Sequence, residues 1–250
     1  RLLDDWIEFS KNSDKYEDGE CEKKWNHMKD GNLGIGTLRY WAKTDNPKAY
    51  EKILEDDLYS LIQKASSGTH TDVAHVIYQM FKHDFVCTSI KKNTWYEFKK
   101  HRWVASDSGY VLKMKMSNEV WKQFMRVSGE YAQKASQEED NDDQERLQKK
   151  AERYSKIASS LKNTTQKSNY LKECSELFYQ EKFEDKLDSN CTLVGFDNGV
   201  FDLETYEFRD GHPDDYISFS TNIDYIPYSD SNPVNQEIMT FLSQILPKEE

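Results

Sequence analysis

Glycine is scarce in this chain, with ten in 250 residues, and none are arranged as the G-x-x-x-x-G-K-[ST] loop whose bare N–H groups cradle phosphates. Leu33-Gly34-Ile35-Gly36 comes nearest, but it is too short, lacks the Lys and reads as a turn. An ATP site is therefore not written in this stretch. Cysteine is sparse too. Cys21, Cys87, Cys174 and Cys191 lie far apart with no C-x-x-C pair, which gives neither a zinc site nor a disulfide framework. The expectation is four buried free thiols in a reducing compartment. Long apolar runs are missing, and nothing approaches the ~20 residues of a membrane-spanning helix. Arg1-Leu2-Leu3-Asp4 opens with neither an initiator Met nor a signal peptide, so the chain reads as part of something longer and not secreted. Neither H-E-x-x-H nor Gly-x-Ser-x-Gly occurs, and His70, His75 and His83 lack the spacing of a metal helix.

What is present is aromatic surface and charge. Hydrophobic residues make up only 36%, but fifteen Tyr, twelve Phe and six Trp each bury on the order of 150–250 Å², which argues for a folded chain. The net charge of −11 is unevenly spread. Between Lys82 and Arg126 there are ten Lys/Arg against four acids, a net +6, so the remainder carries −17. A basic middle in an acidic chain points to a polyanionic partner or to the acidic surface of a neighbouring subunit.

Periodicity divides the chain. Residues 1–67 read as a small all-α domain: Leu2 to Phe9 form an amphipathic helix, Glu20 to Met28 a second, and Thr37 caps a third with Leu38, Tyr40 and Trp41. Pro47 then opens a helix with Tyr50, Ile53, Leu54, Leu58, Leu61 and Ile62 at the 3.6-residue period. Residues 68–250 read as an α+β domain, so the fold class is α+β, predominantly helical with short antiparallel hairpins and meanders. After a helix from Thr71, the pattern predicts strands over 85–89, 94–98 and 102–104. Long helices follow from Ser117, with Glu138-Glu-Asp-Asn-Asp-Asp143 as an exposed mobile linker. Strands return over 192–196, 199–202 and 207–209, before a final helix from Asn232-Pro233.

Two constellations bear on chemistry. Asp202-Leu203-Glu204 ends an apolar strand, where alternation would place both carboxylates on one face, as a two-metal site needs. Asn198-Gly199 before it and Glu204-Thr205 after it are also ordinary hairpin punctuation. The second is the hairpin carrying Lys91, Lys92, Trp95, Tyr96, Lys99, Lys100, Arg102 and Trp103. Basic side chains with interleaved rings suit single-stranded nucleic acid, in which charge follows phosphates and stacking adds ~1–3 kcal/mol per base. Alternation puts Trp95 on one face and Tyr96 on the other, leaving one ring open to solvent. The same pattern also fits rings packed on helices with lysines solubilising the turns.

Phe85 to Trp103 resembles the hairpin of the domain preceding the superfamily 3 helicase module in primase–helicases of large DNA viruses and phages. Leu193-Val-Gly-Phe-Asp-Asn198-Gly199-Val-Phe-Asp202-Leu is similar to that domain's N-G-V-x-D-L segment, and His212 to Thr221 resembles its continuation. Phe9 to Ser13, Cys21 to Trp25 and Leu38 to Trp41 resemble the small helical domain on the C-terminal side of the primase. The resemblance implies a linker–collar segment of a DNA-replication machine in which Trp25, Trp41, Trp103, Asn198, Gly199 and Asp202 are structural. It further implies ATP and Mg in a helicase module outside this stretch, with no cofactor or metal here. DNA, single-stranded or forked, would be met through the parent protein, which would self-associate as a hexamer. The setting would be intracellular, at a viral replication site in host cytoplasm or nucleus, without membrane contact. A pure assembly scaffold, or a metal-dependent nucleotidyl-transfer site at Asp202 and Glu204, are the alternatives.

Overall fold

Caps and turn residues fix where each element of this chain begins. The computed structural model describes residues 2–11, 16–27, 46–229 and 232–246, and the chain divides into two compact units, Arg1–Leu54 and Glu55–Glu250. In the smaller unit α1 (Leu2–Ser10) packs with α2 (Glu20–His27). Helix α2 follows Gly19 at φ 82° and carries Glu20 and Glu22 in its first turn, where the helix dipole favours acids. Cys21 is buried, whereas Trp25 is 38% exposed. The predicted turn at Gly34 and the helix with Trp41 lie outside the described residues.

Helix α3 (Pro47–Lys64) starts as the sequence predicts. The Asn46 side chain accepts the Ala49 N–H at 3.1 Å and Pro47 takes the first helical position. Its far end delivers Ile62, with Leu58 and Leu61 half-buried, to the core of the larger unit. There α4 (His70–Phe81) is N-capped by Thr69 and buries Val73, Val76, Ile77 and Phe81. Three strands follow, β1 (Phe85–Ser89), β2 (Thr94–Lys99) and β3 (Arg102–Ser106), forming an antiparallel sheet in the order β1-β2-β3.

A long helical stretch comes next. Helix α5 (Tyr110–Lys115) runs through a single π turn at Met116–Val120 into α6 (Trp121–Gln137), and α7 (Asn141–Ser160) returns antiparallel beside it. The expected mobile linker between α6 and α7 is a tight capped turn instead. Asp140 Oδ1 accepts the N–H groups of Asp142 and Asp143 at 2.9 and 3.0 Å, so both acids belong to the first turn of α7. Asn163 caps α8 (Thr164–Leu177) in the same manner. After a short α9 (Phe183–Lys186), β4 (Leu193–Phe196), β5 (Gly199–Asp202) and β6 (Glu207–Arg209) form a second antiparallel meander, and α10 (Pro233–Ile245) closes the described chain.

The first sheet lies between two apolar layers. Phe85, Cys87 and Trp95 share one face and join the main core with α4, α5, α6, α7 and α8. Val86, Tyr96, Phe98 and Trp103 share the other face, covered by Phe183, Leu187 and Tyr216. Both sheet edges are also paired. Cys87 exchanges bonds with Phe178 and Gln180 at 3.0 Å, and Trp103 N–H donates to Ile217 O at 2.7 Å. A short meander of this size is marginal alone and acquires its stability from such coverage.

The second sheet is held by one glycine and one asparagine. A Cβ on Gly199 would sit 2.5 Å from the Phe208 ring and 2.6 Å from Arg209 O, so only glycine lets these strands approach. Asn198 accepts the Tyr225 N–H at 2.8 Å and donates to Tyr225 O at 3.1 Å, tying the following segment to the turn. Among the described residues no helix is long and apolar enough to cross a membrane.

Three of the four thiols are buried, and Cys191 is exposed, against the expectation of four buried thiols. Burial pushes the Cys87 and Cys174 thiols above their usual range, which lowers the thiolate fraction that reacts. A disulfide-exchange reagent on the native chain should therefore modify Cys191 quickly and Cys21, Cys87 and Cys174 only on unfolding. Four equally fast thiols in mass spectrometry would contradict this packing.

Candidate nucleic-acid interface

The β2–β3 connection is a two-residue turn, with Lys100 at φ 49° and His101 at φ 63°. Two adjacent left-handed residues are what a type I′ hairpin turn needs, and it normally recruits Asn-Gly rather than Lys-His. That backbone conformation costs on the order of 1 kcal/mol per non-glycine residue, so something must hold it. Gly211 does: its N–H donates to His101 Nδ1 at 3.1 Å, and a Cβ there would lie 2.7 Å from His101 Cβ. One strand further on, the Trp103 indole N–H donates to Pro213 O at 2.8 Å. The turn is thereby pinned to the segment after β6, with Lys99 and Lys100 exposed and Arg102 reaching Asn222 at 3.4 Å.

Lys91 and Lys92 are also exposed, but they sit in the β1–β2 turn at the opposite end of the sheet. Strand β2 separates the two ends by about 17 Å, taking ~3.3–3.4 Å per residue. This turn has its own brace. The Trp95 indole donates to Asn93 Oδ1 at 2.7 Å, and Asn93 Nδ2 donates to Ser108 O at 3.2 Å. The sequence groups the cations as one cluster, whereas the fold sends them to two separate ends.

The rings are not available for stacking. Trp95 is fully buried, 5.7 Å from the Phe178 ring, and a Cβ on Gly109 would meet its Nε1 at 3.1 Å. Trp103 is buried edge-on to Phe183 at 5.0 Å. Alternation leaves one of the two rings for solvent, but Tyr96 on the face opposite Trp95 is half-buried too, with its ring 5.5 Å from Phe183. Burial, with Glu184 close by, raises its hydroxyl pKa. Beneath the basic turn, Asp84 O accepts the Phe98 N–H at 2.7 Å. Burial raises the Asp84 carboxyl above its ordinary range against the opposing charge of Lys115. What this hairpin offers a partner is positive charge on rigid turns.

The carboxylate pair at the end of β5 does not share a strand face. Asp202 closes the strand and its Oδ1 accepts the Glu204 N–H at 2.8 Å, while Glu204 lies in the exposed turn that follows. Asp202 thus spends its lone pairs on the β5–β6 turn. Among the described residues no group of three or more His, Cys, Asp and Glu could hold a metal ion.

Residues 74–247 match the family described as "D5 N terminal like", and residues 1–42 match "Primase C terminal 2 (PriCT-2)". The chain belongs to the D5 N-terminal-like family. Among similar proteins, one named as a helicase in Acanthamoeba polyphaga mimivirus is 36% identical, over 99% of this chain and 26% of that protein. One named as a helicase in Frog virus 3 is 31% identical, over 89% of this chain and 26% of that protein. A protein named as a primase in African swine fever virus is 25% identical, over 99% of this chain and 28% of that protein. The chain thus spans about a quarter of the length of these relatives. The D5 N-terminal-like match encloses both basic turns, Asn198-Gly199 and the whole of the sandwiched sheet.

A second basic surface escaped the sequence reading. From Gln144 to Lys167 there are seven Lys/Arg against two acids, a density hidden by the acidic run just before it. On α7, Arg146, Lys149, Lys150, Arg153 and Lys156 recur at helical spacing beside the face that buries Ala151, Tyr154 and Ala158, with the buried Ile157 at its border. The spacing of the cations themselves was the signal that could have found them.

Because Trp95 is core, Trp95→Ala is expected to lower unfolding stability by ~3–5 kcal/mol, the usual range for truncating a buried large aromatic. Urea denaturation reads this directly, and a loss below the ~0.5 kcal/mol of an ordinary surface substitution would show the ring to be free.

Proposed function

We propose that this chain is a non-catalytic part of a primase–helicase acting in DNA replication, linking a primase to a superfamily 3 ATPase and contributing to ring assembly and DNA contact. The observation that carries this reading is the similarity, along 99% of the chain, to viral proteins named as helicase and as primase. The matched order supports a linker: a primase C-terminal range at 1–42, then the D5 N-terminal-like range at 74–247. DNA contact is assigned to Lys99, Lys100 and Arg102 on the pinned turn, with Lys91 and Lys92 as a separate contact at the other end. Charge on a rigid turn follows a phosphate backbone without reading bases, so binding would be sequence-independent and salt-sensitive. ATP and Mg would be bound by the helicase module of the parent.

The assembly role draws on a different observation. Helix α10 presents Val234, Ile238, Phe241, Leu242 and Ile245 along one face, and all five are exposed. An uncovered apolar stripe of this kind suits a protein partner, and a second subunit is the occupant a ring would supply.

Fluorescence anisotropy of labelled single-stranded and forked DNA across a salt series, with light scattering on the same sample, tests both parts. Binding should weaken with salt, and Lys99→Glu with Lys100→Glu should lower the log–log salt slope by about 2 if each lysine meets a phosphate. Scattering should report species larger than one chain. Oligomers without DNA binding at any salt would leave only the assembly scaffold; monomers without binding would overturn the reading.

A further inference from the structure

The cations of α7 border an open cleft of about 430 Å³ whose lining includes none of the hairpin lysines. Arg153, Lys156 and Ser160 line it from α7, Ser66 and Gly68 from the segment before α4, and Gln166 from the first turn of α8. Gly68, at φ 71°, brings its segment close to α7, where a Cβ would meet Ile157 Cγ1 at 3.2 Å. A second opening of about 360 Å³, bordered by Arg146, Lys149 and Lys150 together with the acids Asp142 and Glu145, shares Arg153 with the first. The two meet at Arg153 as a groove along the helix with more cations than acids, and from Arg146 to Lys156 it spans about 15 Å at 1.5 Å rise per residue.

The charges differ in how they are used. Arg146 lies 3.8 Å from Asp143, Lys149 pairs with Glu145 at 2.5 Å, and Lys150 leans over the Tyr131 ring at 5.3 Å. Both ion pairs are more than half exposed and of the kind worth ~0–1 kcal/mol, so an incoming anion displaces them at little cost. Arg153 and Lys156, where the two openings join, have no ion-pair or hydrogen-bond partner among the described residues. Two acids line the second opening, Asp142 and Glu145, the latter paired with Lys149, and beside the first cleft Asp72 Oδ2 already accepts the Ser67 and Thr69 hydroxyls at 2.6 Å. Helices α4 and α8 both begin beside the cleft, so the positive ends of their dipoles add to the same field.

We propose that this groove binds phosphate, with Arg153 and Lys156 as the principal charge partners and the Arg146–Lys149–Lys150 row extending the track. A planar guanidinium beside an ammonium, with the Ser66 hydroxyl and the Gln166 amide near, is the donor set that phosphate oxygens take. The phosphate could belong to a nucleic-acid backbone, which the row along α7 would follow, or to a free phosphorylated small molecule confined to the cleft. The site is independent of the hairpin assignment and stands or falls separately from it.

The test uses the full chain and the double variant Arg153→Glu, Lys156→Glu, with Lys99→Glu, Lys100→Glu in parallel. One arm titrates labelled oligothymidylate by anisotropy across salt, and the other titrates inorganic pyrophosphate by thermal shift. The α7 variant should unfold at the wild-type temperature because both side chains are exposed. It should lower the oligothymidylate salt slope by about 1.4, or ~0.7 for each of two lost phosphate contacts on a single strand, if the backbone is the ligand. If only the pyrophosphate-induced shift is lost, the ligand is a small phosphorylated molecule. Unchanged behaviour in both arms overturns the groove, even if the hairpin variant loses binding. Wild-type chain that binds neither probe overturns it as well.

Discussion

The larger unit depends on a three-stranded sheet too small to stand alone, buried on both faces. On one side Trp95 closes against Phe178, Leu171 and Gly109, and on the other Trp103 and Tyr96 close against Phe183. Each large ring removes on the order of 150–250 Å² from water, so together they supply the apolar area that a charge-rich chain otherwise lacks. The two indole N–H groups are satisfied at 2.7 and 2.8 Å, by Asn93 and by Pro213 O, so burial leaves neither donor orphaned.

That constraint decides what the sheet can do. With most of both faces and both edges engaged, the sheet meets solvent at Val104 and Ala105 of β3 and at its two ends, and the ends carry the lysines. The strained Lys100-His101 turn is stabilised from outside, by Gly211 on the segment that also covers Trp103. Structure and charge presentation are thus coupled: the layer that buries the rings also fixes the cations. The α7 groove follows a different logic, because a helix with one buried face presents the rest of its surface by periodicity alone.

Much of this was legible in the residues. Alternation located β1, β2 and β3, and Asn198-Gly199 located the β4–β5 turn, because these signals are local. Asn46-Pro47 and Asn232-Pro233 marked helix starts through capping chemistry. The fate of Tyr96 was not legible, since its cover, Phe183, lies far along the chain and nothing in the hairpin announces it. Alternation alone would pair Asp202 with Glu204 on one face, whereas the hairpin punctuation at Glu204-Thr205 ends the strand at Asp202, where the structure ends it. The spacing of the α7 cations could locate them on one stretch of helix, but exposed lysines on an amphipathic helix look the same whether they solvate or bind.

The most direct test is hydrogen exchange of the two indole N–H groups, followed by NMR on the native chain. A sheet covered on both faces predicts that Trp95 and Trp103 are both protected and exchange only with cooperative unfolding of the larger unit. Rapid exchange at Trp103 beside a protected Trp95 would contradict it, showing one face of the sheet, with Tyr96 on it, to be open after all.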